Sequence, residues 1–133
     1  MATLTLGYAE RTTQSSTAST TPIAIGLSVS VTIPAGVNNI KVTGYCGSLY
    51  SNTPNAAGVL TIWNGAVGSG TQLQLARGLQ SGGSGSTAVA PFKRLAVTPG
   101  DTYVFNMGIN ASSGTAYMDA TATQPIILMV EAS

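Results

Sequence analysis

The chain has no histidine, a single cysteine, and only five basic and four acidic residues in 133. Charged residues make up 7% of it, against about 25% in an ordinary soluble domain. Each shortage removes a class of chemistry. Without an imidazole, neither a Ser/His/Asp nor a Cys/His nucleophile system can be assembled. One cysteine forbids an intrachain disulfide, and the nitrogen and sulfur donors of a zinc site are missing. No acidic loop has calcium-binding spacing. The net charge of +1, with Lys93-Arg94 as the one basic pair, supplies no electrostatic footprint for nucleic acid. The longest apolar run, Ile126-Ile127-Leu128-Met129-Val130, falls well short of the ~20 residues of a membrane span. The N-terminus, Met1-Ala2-Thr3-Leu4-Thr5-Leu6-Gly7-Tyr8, lacks the basic and apolar regions of a secretory signal. These absences predict a soluble protein made in a cytoplasm, with no cofactor, no metal, no small-molecule substrate, no nucleic acid and no membrane.

The groups left for catalysis are few and scattered. Lys41 falls on the expected outer face of its strand and Lys93 abuts Arg94, so both read as solvated, whereas a lysine base has to be desolvated. Asp101 follows Pro-Gly in a turn, Asp119 and Glu131 lie on separate late strands, and Glu10 belongs to a polar N-terminal segment, so no carboxylate pair for glycoside hydrolysis stands out. Gly65-Ala66-Val67-Gly68-Ser69-Gly70 opens no helix and lacks the lysine of a phosphate loop. Cys46, flanked by apolar alternation, reads as a small buried hydrophobe. Asn110-Ala111-Ser112 matches a glycosylation acceptor but is read as a turn. The chain is not expected to be an enzyme.

What is present is hydroxyls, small residues and a period of two. Leu27-Ser28-Val29-Ser30-Val31-Thr32-Ile33 puts its aliphatics on one face and its hydroxyls on the other, and Pro34-Ala35-Gly36 ends it. Ile40 to Cys46 turns Ile40, Val42 and Cys46 inward. Val59 to Trp63 runs into the hairpin signal Asn64-Gly65. Tyr103, Phe105, Met107 and Ile109 share a face, and Thr71–Ala76, Ala88–Val97, Thr115–Thr121 and Ile126–Glu131 complete seven to nine short strands. That spacing predicts an all-β antiparallel sandwich or barrel. The last strand, apolar on both faces, belongs at a sheet centre or under a partner subunit.

Two segments break the pattern. Gln80-Ser81-Gly82-Gly83-Ser84-Gly85-Ser86 reads as a flexible loop. Ala9 to Thr21 is polar and aperiodic, so residues 1–21 are expected as a short strand and an extended arm that would need a surface to lie on, and residues 22–133 as a single β-sandwich domain. Trp63, Tyr45, Tyr50 and Tyr117 are the aromatics to watch, as core, as subunit interface or as a sugar-stacking platform.

Three stretches carry a resemblance: Val29-Ser30-Val31-Thr32-Ile33-Pro34-Ala35-Gly36-Val37-Asn38-Asn39-Ile40-Lys41-Val42-Thr43-Gly44, Leu60-Thr61-Ile62-Trp63-Asn64-Gly65, and Thr98-Pro99-Gly100-Asp101-Thr102-Tyr103-Val104-Phe105. From about residue 27 to the end, the chain resembles the small jelly-roll virion proteins of tailed bacteriophages. The resemblance implies a tumour-necrosis-factor-like jelly roll, commonly trimeric, in minor capsid, decoration or tail-fibre modules. It leads to the expectation of a capsid decoration protein that binds the major capsid protein on the outer surface of the virion, after synthesis in the host bacterial cytoplasm. On that expectation Glu10, Arg11, Thr12, Thr13 and Gln14 of the arm are the capsid-binding candidates, and Trp63, Tyr117, Ile127 and Met129 the trimer-interface candidates. A receptor- or carbohydrate-binding module at a tail tip is the alternative, and it predicts an exposed aromatic cluster that includes Trp63 or Tyr50.

Overall fold

The structure is a computed structural model that describes residues 4–79 and 86–133; the expected loop at Gln80 to Ser86 lies outside them except for Ser86. Eleven strands occupy the described chain: β1 (Thr5–Arg11), β2 (Ser15–Thr17), β3 (Ile23–Thr32), β4 (Asn39–Ser51), β5 (Ala57–Asn64), β6 (Thr71–Leu79), β7 (Thr87–Val89), β8 (Phe92–Ala96), β9 (Thr102–Ala111), β10 (Ala116–Asp119) and β11 (Ile126–Ala132). The alternation read from the sequence is realised in β3, where Ile25, Leu27, Val29 and Val31 are buried between exposed neighbours.

The first sheet is built around β4, the longest strand. On one side β4 pairs first with β11 and then with β10, and on the other with β8 and then β7. β1 lies outside β11, and β2 outside β10. Each of β1–β2, β10–β11 and β7–β8 is therefore one ribbon with a break, and the sheet is four ribbons wide. The break has a local cause in β4. Cys46 and Leu49 both point into the core, and the pairing with β7 slips between them, so Gly47-Ser48 forms a bulge that bends the strand. The second sheet has the order β3-β9-β5-β6. The chain passes repeatedly between the two sheets, and eight ribbons in this order make an antiparallel β-sandwich of the jelly-roll type.

The core fills the space between the sheets. Ile40, Val42, Leu49, Met118, Leu128 and Val130 of the first sheet meet Val29, Val31, Leu60, Ile62, Phe105 and Met107 of the second. At one end the sheets come together so closely that only glycine fits: a Cβ on Gly58 would sit 2.6 Å from the Tyr50 carbonyl oxygen, and one on Gly78 would strike the Leu49 carbonyl. The last strand is central, between β1 and β4; one of its apolar faces is buried in the core, and Ile127 and Met129 of the other are half-buried on the outside of the sheet.

The N-terminal segment corrects the sequence reading. Residues 5–17 are no arm: β1 pairs with β11 from Thr5 to Arg11 and β2 pairs with β10, while Leu6 and Ala9 pack on the core. The surface that orders this polar segment is the chain's own sheet. Asn110 is likewise not in a turn but near the end of β9, its Nδ2 donating to the Thr20 carbonyl at 3.5 Å.

Candidate functional site

Along β1, β4, β8, β10 and β11, the residues between the core-facing positions form the outer face of the first sheet, and the strand registers order them in rows. One row is Tyr8, Met129, Thr43 and Phe92. The next is Glu10, Ile127 and Tyr45. On the other side of the first row stand Glu131, Lys41 and Arg94. Past the bulge, Ser16, Tyr117 and Tyr50 make a further row. A tract of aromatic and aliphatic side chains thus runs across the middle of the sheet, with charge at its margins. Tyr8 and Phe92 are about half exposed, at 51% and 47%, whereas Ile127, Met129, Tyr45 and Tyr117 are half-buried among their neighbours.

The polar groups of the face are mostly engaged with one another. The Tyr8 hydroxyl donates to Glu10 Oε2 at 3.0 Å, and desolvation, with that carboxylate beside it, raises the Tyr8 pKa. Lys41 Nζ lies 4.6 Å from the centroid of the Phe92 ring, within cation–π range. Tyr50 and Tyr117 stack with centroids 5.1 Å apart and planes inclined by 19°. Asp119 accepts from Gln14 Nε2 at 2.5 Å and, at 3.5 Å, from Ser48 Oγ and the Tyr50 hydroxyl. Burial, then the Asp119 charge, pushes the Tyr50 hydroxyl pKa up. Thr43 Oγ1, in the middle of the tract, is buried without a hydrogen-bond partner. Among the described residues no three His, Cys, Asp or Glu side chains gather as a metal site would require. Cys46 is buried, and that burial holds its thiol above the ordinary range. What the face offers is area for contact.

The candidates from the sequence separate cleanly on this frame. Tyr117, Ile127 and Met129 all belong to the outer face. Trp63 does not: it is on β5 of the other sheet, 7% exposed, with Nε1 donating to Thr61 Oγ1 at 2.8 Å. Covered by its own chain, it offers neither a subunit anchor nor a sugar platform. Of the arm candidates, Glu10 is on the face. Arg11 is spent internally: Nε, Nη1 and Nη2 donate to the carbonyls of Thr13, Ile25 and Gln14, each at 3.0 Å, which pins the bend between β1 and β2 to β3. Gln14 is held by Asp119, and Thr12 and Thr13 are exposed at the bend. The sequence reading missed Tyr8 and Phe92, whose place on the face depends on β1 and β8 flanking β11 and β4, a pairing between distant segments.

No family model matches the chain, and no curated protein matches it in sequence. Among solved structures it is similar to the Eiger tumour-necrosis-factor protein of S. frugiperda (TM-score 0.47, 13% identity, covering 100% of this chain and 94% of that one). It is also similar to a carbohydrate-binding module of Cellvibrio mixtus lichenase 5A, solved with cellotriose (TM-score 0.40, 14% identity, 97% and 89% covered). A third is the structure of infectious bursal disease virus, Gx strain (TM-score 0.41, 12% identity), where the match spans 98% of this chain and 39% of that one. With these TM-scores below 0.5, the jelly-roll assignment rests on the chain's own strand order.

Proposed function

We propose that this chain is a structural protein of a virion: a homotrimeric jelly roll that decorates the outer capsid surface of a tailed bacteriophage, binds its major capsid protein and clamps adjacent coat subunits. The observation that carries the self-associating part is the apolar tract Tyr8–Met129–Thr43–Phe92 with Ile127 and Tyr45, since an extended apolar surface rimmed by polar groups marks a protein contact. The phage capsid enters through the strand and turn phrases from Val29 to Gly44, Leu60 to Gly65 and Thr98 to Phe105. The mechanism is passive: a protein that binds the assembled shell and not its dissociated subunits stabilises the shell by mass action. A labelled copy added to phage particles and imaged by electron microscopy tests the reading. Label over the head is expected, and absence from both head and tail overturns it.

A second reading has one observation in its favour. The stacked Tyr50–Tyr117 pair beside Asp119, Ser48 and Gln14 combines aromatic rings with hydrogen-bonding groups, as a glycan site on a receptor-binding module would. Label at the tail tip, together with glycan-array binding lost in Tyr50→Ala, would favour it over decoration.

A further inference from the structure

The net charge of +1 conceals a sorting. Lys41, Arg77, Lys93 and Arg94 lie on β4, β6 and β8, and neither these strands nor β5 and β7 hold an acid. Glu10, Asp119 and Glu131 lie on β1, β10 and β11 against one cation, Arg11, which keeps its charge but turns away from the outer face to donate to three backbone carbonyls, and the fourth acid, Asp101, is in the turn between β8 and β9. Glu131 and Lys41 are opposite each other in the β4–β11 register, so their charges cancel in the sum over the face. The excess acid is left toward the β1 side and the excess base at the β6–β8 side.

Most of the large exposed apolar groups lie at the same two edges: Leu4, just before β1, and Tyr8 on it, 57% and 51% exposed, and at β6–β8 Leu75, Leu79 and Phe92, at 37%, 60% and 47%, while Ile23 and Val104 are on β3 and β9 of the second sheet. The β6–β8 side is also concave. Strand β6 of the second sheet and β7–β8 of the first are not paired, and the groove between them has a volume of about 680 Å³, with Leu75, Val89 and Pro91 along it and Phe92, Lys93 and Arg94 beside them.

We propose that copies of this chain join head to tail, the acidic β1 edge of one (Tyr8, Glu10) seating against the basic β6–β8 groove of the next (Phe92, Lys93, Arg94). The proposal rests on the self-association read above and specifies its geometry. A two-fold contact uses the same patch twice and would set Glu10 near Glu10, or Arg94 near Arg94. A head-to-tail contact uses two different patches and closes into a ring when the rotation allows, and only that arrangement matches acid with base at every joint. It also leaves Ile127, Met129 and Tyr45, which carry no charge, free to approach the axis of the ring.

Cations on an edge strand also serve to discourage strand pairing, and reversal of sign separates that role from recognition, because a glutamate guards an edge as a lysine does. The test measures association of the full chain by sedimentation equilibrium in low salt for the unmodified protein, Glu10→Lys, Arg94→Glu and the double variant, with circular dichroism as the check on folding. Each single reversal is expected to weaken association about tenfold or more, and the double, which exchanges the two charges, to regain most of that loss. If the unmodified protein associates while the single reversals do not weaken it, or the double shows no recovery, the head-to-tail geometry is wrong and self-association stands. If the unmodified protein stays monomeric at concentrations of about 100 μM, weaker than a joint of this kind allows, self-association and its geometry fall together.

Discussion

Trp63 and Thr61 alternate with Leu60 and Ile62 along β5, so their side chains leave the core, yet both are buried. The loop between β5 and β6 provides the cover. Gly65 N–H donates to the Val104 carbonyl and Asn106 Nδ2 donates to the Gly65 carbonyl, each at 2.8 Å, and Val67 comes so close to Gly108 that a Cβ there would lie 2.9 Å from it. Folded back over the sheet, this loop turns an outward indole into an interior one, and the 2.8 Å bond from Nε1 to Thr61 Oγ1 answers the polar atom that burial would otherwise strand. Thr61→Val keeps the shape and removes the acceptor. An unpaired buried donor costs about 1–3 kcal/mol, so the variant is expected to lose that much stability in urea titration. Emission from Trp63, the chain's one tryptophan, should stay at the short wavelengths of a buried indole. Unchanged stability would mean the bond contributes nothing net.

The element whose role shifts most between sequence and structure is the N-terminal ribbon. Its Ser/Thr-rich stretch shows no period-two pattern, because β1 and β2 are edge strands: apart from Tyr8 their outer faces are polar, and inward they offer small or partly covered residues, Leu6, Gly7 and Ala9. The alternations of β3 and β9 and the apolar run of β11, by contrast, made those strands readable, since each buries an apolar face. The sequence also put the last strand at a sheet centre or under a partner subunit, but did not reveal that the first strand covers one of its edges. Pairing between segments so distant in the chain leaves no local mark, and for the same reason Tyr8 and Phe92 could not be read as members of one row, at its two ends, while Tyr117, Ile127 and Met129 could at least be picked out as interface candidates. Removing residues 1–17 should therefore damage the fold and not merely a contact. It bares the hydrogen-bonding edge of β11 over the span paired with Thr5 to Arg11 and takes away the Arg11 clamp on Ile25. The truncated chain is expected to unfold at least about 10 °C lower or to aggregate through the exposed edge, and differential scanning calorimetry with light scattering measures both. A truncation that melts where the full chain does would restore the reading of this segment as a separable arm.

For the whole molecule, the outer face and the two charged edges bear on stability as well as on association. A chain that folds and assembles in one step is stabilised by mass action, so its melting temperature depends on its concentration. For a trimer that unfolds to three separate chains, a hundredfold rise in concentration adds about 2 kcal/mol per chain at 25 °C. With the unfolding entropy usual for a domain of this length, that corresponds to an upward shift on the order of 6 °C. Met129 is half-buried in the single chain and stands in the middle of the apolar row. Met129→Lys therefore leaves the core intact and places a charge where copies would meet, with like charges brought together around the axis. The full chain is expected to melt at progressively higher temperature from about 1 to 100 μM, on the order of 6 °C overall, whereas Met129→Lys should melt at one temperature throughout, near the dilute limit of the unmodified protein. Calorimetry over that range reads both. A melting temperature of the unmodified protein that ignores concentration would show that the outer face stabilises no assembly, and would leave its apolar rows to serve a partner of another kind.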